Sequence, residues 1–285
     1  VHCHKPRAVR FALSNLRRWD TPKIVAHRGN SYAIDDNGRR WYGHPQMAAI
    51  ICVADELRRI AVEGGLNPRK VVTNYTGVDT SIFDAALDGR EARREFDIPE
   101  HAPVVGLVAN FDGKKAHGEF LKTAALIICE IPDVKFLLVG RGASDEFRMK
   151  LYESNLAGNT ILTGFREDVP RMLAAMDVSI NVSTRGEGLT GAMRESLAMK
   201  KAVVCTDVGG NRELMRDGET ARLVPARDPR AMADAIIYLL RNPLEAQRLA
   251  ENGYALIQRE FTREKALDRL EEIYRCVVEG RELNS

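Results

Sequence analysis

The chain has 285 residues, of which 45% are hydrophobic and 29% are charged, and its formal net charge is +2. These values are typical of a soluble globular protein with two domains or one large one. The sequence has no apolar run of the roughly 18 residues that a transmembrane helix needs, and basic residues interrupt the first residues of the sequence, so neither a transmembrane helix nor a signal peptide is expected.

The cysteines and the charge give weaker information. The five cysteines are scattered and odd in number, which favours buried thiols in a reducing cytoplasm over a disulfide framework or a zinc site. Residues 1–80 carry 13 Lys and Arg against 7 Asp and Glu, a net charge of +6, which leaves −4 for the remainder. Two interpretations stay open: chance surface charge, or a basic face toward an anionic acceptor or a membrane surface.

The first 100 residues alternate between apolar runs and helical patterns. Strands are predicted at 1–4, 24–27, 47–53 and 70–72, and helices at 6–18 and 55–64. The polar, glycine-containing stretch 31–45 predicts a loop. Residues 80–101 are charged and lack apolar periodicity, so they predict a linker with a short solvated helix.

The remaining residues continue the alternation. Strands are predicted at 104–109, 136–140, 161–165 and 177–182, and helices at 119–131, 148–156, 169–176, 231–240 and 244–258. Thr262 is placed to cap a last helix with an apolar stripe. Strands that alternate with helices predict an α/β fold built on doubly wound parallel sheets.

The stretch from Ser183 to Glu195 is the most informative. A buried strand ends, a glycine-rich turn follows, and a helix begins between Gly188 and Gly191. The free N–H groups at a helix start bind anions, and glycines let a phosphate approach the backbone. Glu187 and Glu195 would repel a phosphate, so they are expected to accept hydrogen bonds from sugar and ribose hydroxyls.

This pair of glutamates, with seven residues between them and followed by the run Ala202–Gly210, resembles the signature of retaining glycosyltransferases with the GT-B fold, above all glycosyltransferase family 4. The resemblance implies two Rossmann-like domains: residues 1–92 on the acceptor side and 93–261 for the nucleotide sugar. A helix at 262–285 would cross back to the first domain.

Family members have about three strands upstream of those predicted here, so the first domain is expected to be incomplete. A partner chain on residues 1–30, with the helix at 6–18 as its contact, or helices repacked over that edge would then cover the sheet.

The resemblance also assigns roles to individual residues. The implied catalytic residues are His27, Lys115 and Glu187, and the implied acceptor-binding residue is Arg28. The implied donor-binding residues are Asn110, Lys115, Arg141, Arg166, Glu187, Gly188, Leu189, Thr190 and Glu195. Asn110 stands where the family has an arginine, so Lys114 or Arg141 would have to supply the missing charge.

Less specific interpretations remain for several of these residues. Lys115 could be a surface lysine of a turn, and His27 a structural residue at a strand end. His2, His4 and His117 are interpreted as structural, and the sequence predicts no metal site.

The implied function is retaining transfer of a sugar from a UDP- or GDP-linked donor to a hydroxyl of a glycan or lipid-linked acceptor, as in cell-envelope polysaccharide or lipopolysaccharide synthesis. Neither a cofactor nor a nucleic-acid partner is expected, and no GxxxxGK[ST] motif supports phosphoryl transfer from ATP. The expected location is cytoplasmic, with peripheral contact to the inner face of the membrane and a homo-oligomer left open. The alternatives are a non-catalytic nucleotide-sugar-binding remnant and a GT-B sugar-nucleotide epimerase.

Overall fold

The computed structural model describes residues 1–15, 22–113, 115–185 and 188–283. These residues form two compact units. The first contains residues 1–77, 188–189 and 261–283, and the second contains residues 78–185 and 190–260. The division therefore falls between Gly77 and Val78, and not between residues 92 and 93 as the sequence predicted.

The first unit is built on a four-stranded parallel sheet with strand order β1-β2-β3-β4. Its elements in chain order are β1 (His2–Cys3), α1 (Pro6–Asn15), β2 (Ile24–Arg28), α2 (Asp36–Tyr42), β3 (Met47–Cys52), α3 (Asp55–Glu63), a 3₁₀ turn (Pro68–Lys70) and β4 (Val71–Thr73). The strands are almost wholly buried, as is usual for a parallel sheet covered on both faces.

Helix α2 lies where the sequence predicted a loop, so that prediction was wrong. The side chain of Asp35 caps the helix by accepting a hydrogen bond of 2.7 Å from the backbone N–H of Gly38. Gly38 and the polar composition gave this segment no helical pattern in the sequence, although Tyr42 at the end of the helix is buried in the core of the unit.

The second unit contains a six-stranded parallel sheet. Its elements are α4 (Arg90–Glu95), β5 (Val104–Val108), α5 (His117–Glu130), β6 (Lys135–Val139), α6 (Asp145–Glu153), β7 (Thr160–Gly164), α7 (Val169–Ala174), β8 (Val178–Asn181), α8 (Gly191–Ala198), β9 (Ala202–Thr206), α9 (Asn211–Leu214), β10 (Arg222–Val224), α10 (Pro229–Arg241) and α11 (Pro243–Glu260). The strand order is β10-β9-β8-β5-β6-β7, so the order reverses between β5 and β8. In open α/β sheets a ligand crevice lies at the carboxyl ends of the strands on either side of such a switch point.

Helix α4 belongs to the second unit and is not part of a solvated linker. Ala92 and Ile98 are buried in one cluster with Met172. Arg93 donates to the carbonyl oxygens of Ala102 and Ala175 and lies 2.9 Å from the carboxylate of Asp177. Charge alone predicted exposure, but only one face of this helix is exposed.

The last helix, α12 (Arg263–Glu279), packs on the sheet of the first unit. Thr262 caps it as predicted, because its hydroxyl accepts from the N–H of Lys265 at 3.4 Å. Ile273 and Val277 are buried against the face of the sheet that carries Val25. The predicted return of the final helix to the first domain is therefore confirmed.

Helix α1 covers the opposite face of the same sheet. Val9 and Leu13, which were predicted to contact a partner chain, are 1% and 2% exposed within their own unit. Their side chains therefore contribute to the core and are not available to a partner. Among the described residues no helix is both long enough and apolar enough to cross a bilayer.

Candidate functional site

Several of the predicted donor-binding residues follow the strands at the switch point of the second sheet, where open α/β sheets have a ligand crevice. Asn110 lies two residues beyond the end of β5, and the segment after β8 leads through Thr190 into α8. Parallel strands end at the same edge of a sheet, so residues far apart in sequence share this crevice.

Asn110 and Arg141 are neighbours at the ends of β5 and β6. The side-chain oxygen of Asn110 accepts a hydrogen bond of 3.2 Å from the backbone N–H of Arg141. Gly140 permits this approach, since a Cβ there would lie only 2.0 Å from the carbonyl oxygen of Ala109. Both side chains are exposed, and the Arg141 guanidinium lies 5.3 Å from the centre of the Phe165 ring. A positive charge therefore stands beside Asn110.

Lys115 is half-buried in the turn that precedes α5. Its backbone N–H donates to the carboxylate of Asp112 at 3.1 Å, which fixes the turn. His117 begins the helix, is buried, and stacks on the Phe111 ring at 3.8 Å. Burial lowers the pKa of His117 to about 4, so this histidine is neutral at pH 7, and its structural role stays a prediction. Lys114, the other cation considered for this loop, lies outside the described residues.

Helix α8 begins at the crevice with the N–H groups of its first turn, which have no partner within the helix itself. Thr190 precedes the helix and is buried. Its hydroxyl donates to the side-chain oxygen of Asn211 at 2.8 Å, and Asn211 donates to the carbonyl of Thr206 at 3.0 Å. The hydroxyl proton of Thr190 is thus donated to Asn211 and is not available to a diphosphate. Hydrogen bonds from this position to a diphosphate would have to come from the backbone N–H groups.

Glu195 lies on α8 and is partly buried. Burial raises the pKa of its carboxyl, against the opposing effect of Arg194. A Cβ on Gly191 would lie 3.9 Å from a carboxylate oxygen of Glu195 and 3.7 Å from a guanidinium nitrogen of Arg194, so both side chains reach back to the first turn. The carboxylate is therefore close to the anion-binding end of the helix.

Arg194 was missed from sequence. It is 8% exposed, burial lowers its pKa to about 10, and its Nε has no hydrogen-bond partner within the described residues. A buried cation with an unused donor is unusual outside functional sites. Its position within the glutamate motif was the available signal.

Arg166 is already bound to two carboxylates, which conflicts with its predicted role in binding the donor. Its guanidinium binds the carboxylate of Asp168 at 2.7 Å and that of Glu95 at 2.7 and 3.2 Å. These bonds use most of its N–H donors. Contact with a nucleobase would therefore require rearrangement of these ion pairs.

The remaining predicted donor residues surround the turn before α8. Gly188 and Leu189 are buried. Glu187, predicted to be catalytic and to contact the donor sugar, lies outside the described residues, so its role stays a prediction.

The strand ends of the first unit carry a cluster of three histidines. The ring centres of His2 and His4 are 4.2 Å apart, and that of His27 lies 6.0 and 5.6 Å from them. One nitrogen of each ring lies within 4.8 Å of one nitrogen of the other two. Burial, together with the neighbouring His4, lowers the pKa of His27. We expected no such cluster from sequence, and the structure corrects that expectation.

Arg28 follows His27 and is 6% exposed. It donates to the carbonyl of Tyr32, while its Nε has no partner within the described residues. A cavity of about 510 Å³ lies over it, with Arg7 and Arg10 of α1 and the ring of Trp41 in its walls. Three arginines line the cavity against one acidic residue, Asp35, and this excess of positive charge favours an anionic ligand.

Comparisons with known proteins identify a related family and related folds. Residues 102–242 match the family model of glycosyl transferases group 1. The chain is 28% identical over 270 residues to a phosphatidyl-myo-inositol mannosyltransferase of Mycobacterium tuberculosis, across 91% of this chain and 69% of that protein. A glycosyltransferase structure from Rickettsia africae superposes with a TM-score of 0.87 at 20% identity, over 97% of this chain and 76% of that one. An Anabaena protein in complex with UDP gives 0.86 at 20% identity, over 96% and 78%.

Proposed function

We propose that this chain is a retaining glycosyltransferase. The premise is that it belongs to the group 1 glycosyl transferases and has the GT-B fold. It moves a sugar from a nucleoside-diphosphate donor to a hydroxyl of a glycan or lipid-linked acceptor. The observation that supports this best is the partly buried Glu195 beside the first turn of α8, at the switch point of the second sheet.

The donor is assigned to the second unit. Its diphosphate would bind the free N–H groups of α8 and the ammonium of Lys115, since both favour negative charge. The ribose hydroxyls would donate to Glu195, whose carboxylate is a strong acceptor. UDP is our first choice of nucleotide because a protein of the same fold has been solved with it.

The protein would act chiefly by positioning and by stabilising charge on the departing diphosphate. Lys115 would act on that charge, with Arg141 contributing in place of the arginine that Asn110 replaces. Glu187 would hold the donor sugar, and His27 would assist by hydrogen bonding.

The acceptor is assigned to the first unit. Arg28, with Arg7 and Arg10 across the same cavity, would receive an anionic group of the acceptor. A phosphate of a lipid-linked acceptor has the required charge, and the mycobacterial relative is named for such a lipid. A lipid-linked acceptor would place the reaction at the inner face of the membrane.

A transfer assay with a panel of donors tests this proposal. The full chain is incubated with UDP-glucose, UDP-galactose, UDP-N-acetylglucosamine or GDP-mannose, with and without a phosphoinositide acceptor, and products are followed by mass spectrometry and NMR. We expect transfer with the anomeric configuration of the donor preserved. Binding of a donor without transfer or hydrolysis would indicate the non-catalytic alternative, and an epimerised donor without acceptor would indicate the epimerase.

A further inference from the structure

Two neighbouring strands place the three histidines together. His2 and His4 are two residues apart at the end of β1, so their side chains point to the same face of the sheet. The parallel register pairs Cys3 with Ala26, which puts His4 beside His27 at the end of β2. His2 and His27 lie on strands, and His4 lies in the bend that directly follows β1.

The surroundings of His2 orient its ring as a metal ligand requires. Its Nδ1 lies 2.6 Å from the hydroxyl oxygen of Tyr274 on α12, which accepts if Nδ1 carries the proton. Its Nε2 is buried and has no hydrogen-bond partner within the described residues. Ligating histidines nearly always have their second ring nitrogen fixed by such an outer partner.

The spacing of the rings is close to that of a three-histidine site. Nitrogens bound to one tetrahedral zinc at about 2.0–2.1 Å lie about 3.3 Å from one another. In this cluster they lie within 4.8 Å of one another. Rotations of the rings close this gap, and His4, which is exposed, is free to turn.

We propose that His2, His4 and His27 bind a divalent transition-metal ion of the Zn²⁺, Co²⁺ or Cu²⁺ class. Three imidazole ligands suit these borderline ions, and the cluster includes no carboxylate, which disfavours Mg²⁺ and Ca²⁺. Three protein ligands leave a fourth position for water or another small ligand. The site shares His27 with the proposed transfer chemistry, so an ion bound there would withdraw that imidazole from the reaction.

Titration of the full chain with CoCl₂ tests the site directly. The protein carries no polyhistidine tag and has Cys129→Ser, because Cys129 is the exposed thiol among the described residues. Four-coordinate Co²⁺ gives intense visible absorption, and ZnCl₂ calorimetry provides the stoichiometry. We expect one ion per chain, at least 10-fold weaker binding in His4→Gln, and about 10- to 100-fold weaker binding in Tyr274→Phe, which removes the outer partner.

His101→Gln is the matched control, since His101 is exposed and lies in the other unit. It should bind Co²⁺ as the parent does. His2→Gln gives a second test of the cluster, and circular dichroism checks that each variant is folded. Absence of a 1:1 complex in the parent would overturn the proposal. Binding that survives both His4→Gln and His2→Gln, or that is lost equally in His101→Gln, would reveal adventitious metal binding and overturn it as well.

Discussion

The parallel strands of the two units lead to different kinds of side chain. The strand ends of the first unit carry imidazoles and a buried guanidinium, namely His2, His4, His27 and Arg28. Those of the second unit carry the amide of Asn110 and lead to the carboxylate of Glu195. Under the proposals made above, one architecture would serve two ligand classes: anions or metal ions in the first unit, and a nucleoside-diphosphate sugar in the second.

Within the described part of the chain, each unit has a buried arginine with an unused Nε donor, Arg28 in the first and Arg194 in the second. An unsatisfied buried donor costs about 1–3 kcal/mol of folding free energy. Such a cost is tolerated where a ligand provides the missing partner. The two arginines therefore mark the same two regions that the strand ends identify.

Lys115→Ala should have the largest effect on catalysis. If the ammonium stabilises charge that develops on the leaving diphosphate, turnover falls by on the order of 100-fold while the Michaelis constant changes little. Steady-state kinetics measures both. Lys122→Ala, an exposed lysine of α5 paired with Glu119, is the control and should be silent. A higher Michaelis constant with intact turnover would mean that Lys115 only anchors the ground state.

Glu195→Ala should weaken nucleotide binding by about 10- to 150-fold, because it removes a charged acceptor worth roughly 1.5–3 kcal/mol. Calorimetry with UDP and GDP measures the loss. Glu153→Gln, at an exposed position at the end of α6 in the same unit, should bind as the parent does. Unchanged nucleotide affinity in Glu195→Ala would show that the ribose does not bind to Glu195.

His27→Ala should distinguish the roles of the two units. Turnover is expected to fall by about 10-fold or more, since a hydrogen bond to the reacting centre is lost. Affinity for the free nucleotide should stay within a factor of about two, because the donor is assigned to the second unit. His101→Ala is the control. Loss of nucleotide affinity equal to the loss of turnover would contradict this division of roles.

The smallest expected effect concerns the ion pairs of Arg166. Hydrogen bonding to Arg166 lowers the pKa of Asp168, so the carboxylate stabilises the fold at neutral pH and the stabilisation is lost as the pH falls below about 4. Asp168→Asn should lower the thermal midpoint at pH 7 by an amount equivalent to about 1 kcal/mol or less. The difference between the variant and the parent should shrink as the pH falls below about 4. Glu146→Gln, in an exposed pair with Lys150, should shift the midpoint less. A difference that persists unchanged at pH 3 would rule out the ion pair as its cause.

Local signals accounted for the elements that the sequence predicted well. The cap at Thr262 and the stripe that includes Ile273 and Val277 identified α12. The glycine turn after β8 identified the start of α8. Each of these signals lies within a few residues of the feature it predicts.

The features that the sequence did not predict depend on tertiary pairing. Arg166 is held by Glu95, a residue 71 positions away. His4 meets His27 only because β1 and β2 pair in one particular register. The burial of Arg194 depends on packing around α8 and not on its neighbours in sequence.

A crystal structure of the full chain soaked with UDP, or with GDP in parallel, tests the assignment of the donor to the second unit most directly. We predict that the ribose hydroxyls lie within about 3.2 Å of the Glu195 carboxylate. The diphosphate should lie at the first turn of α8, within reach of Lys115. A nucleotide bound elsewhere, with Glu195 making no contact to it, would contradict the proposed site.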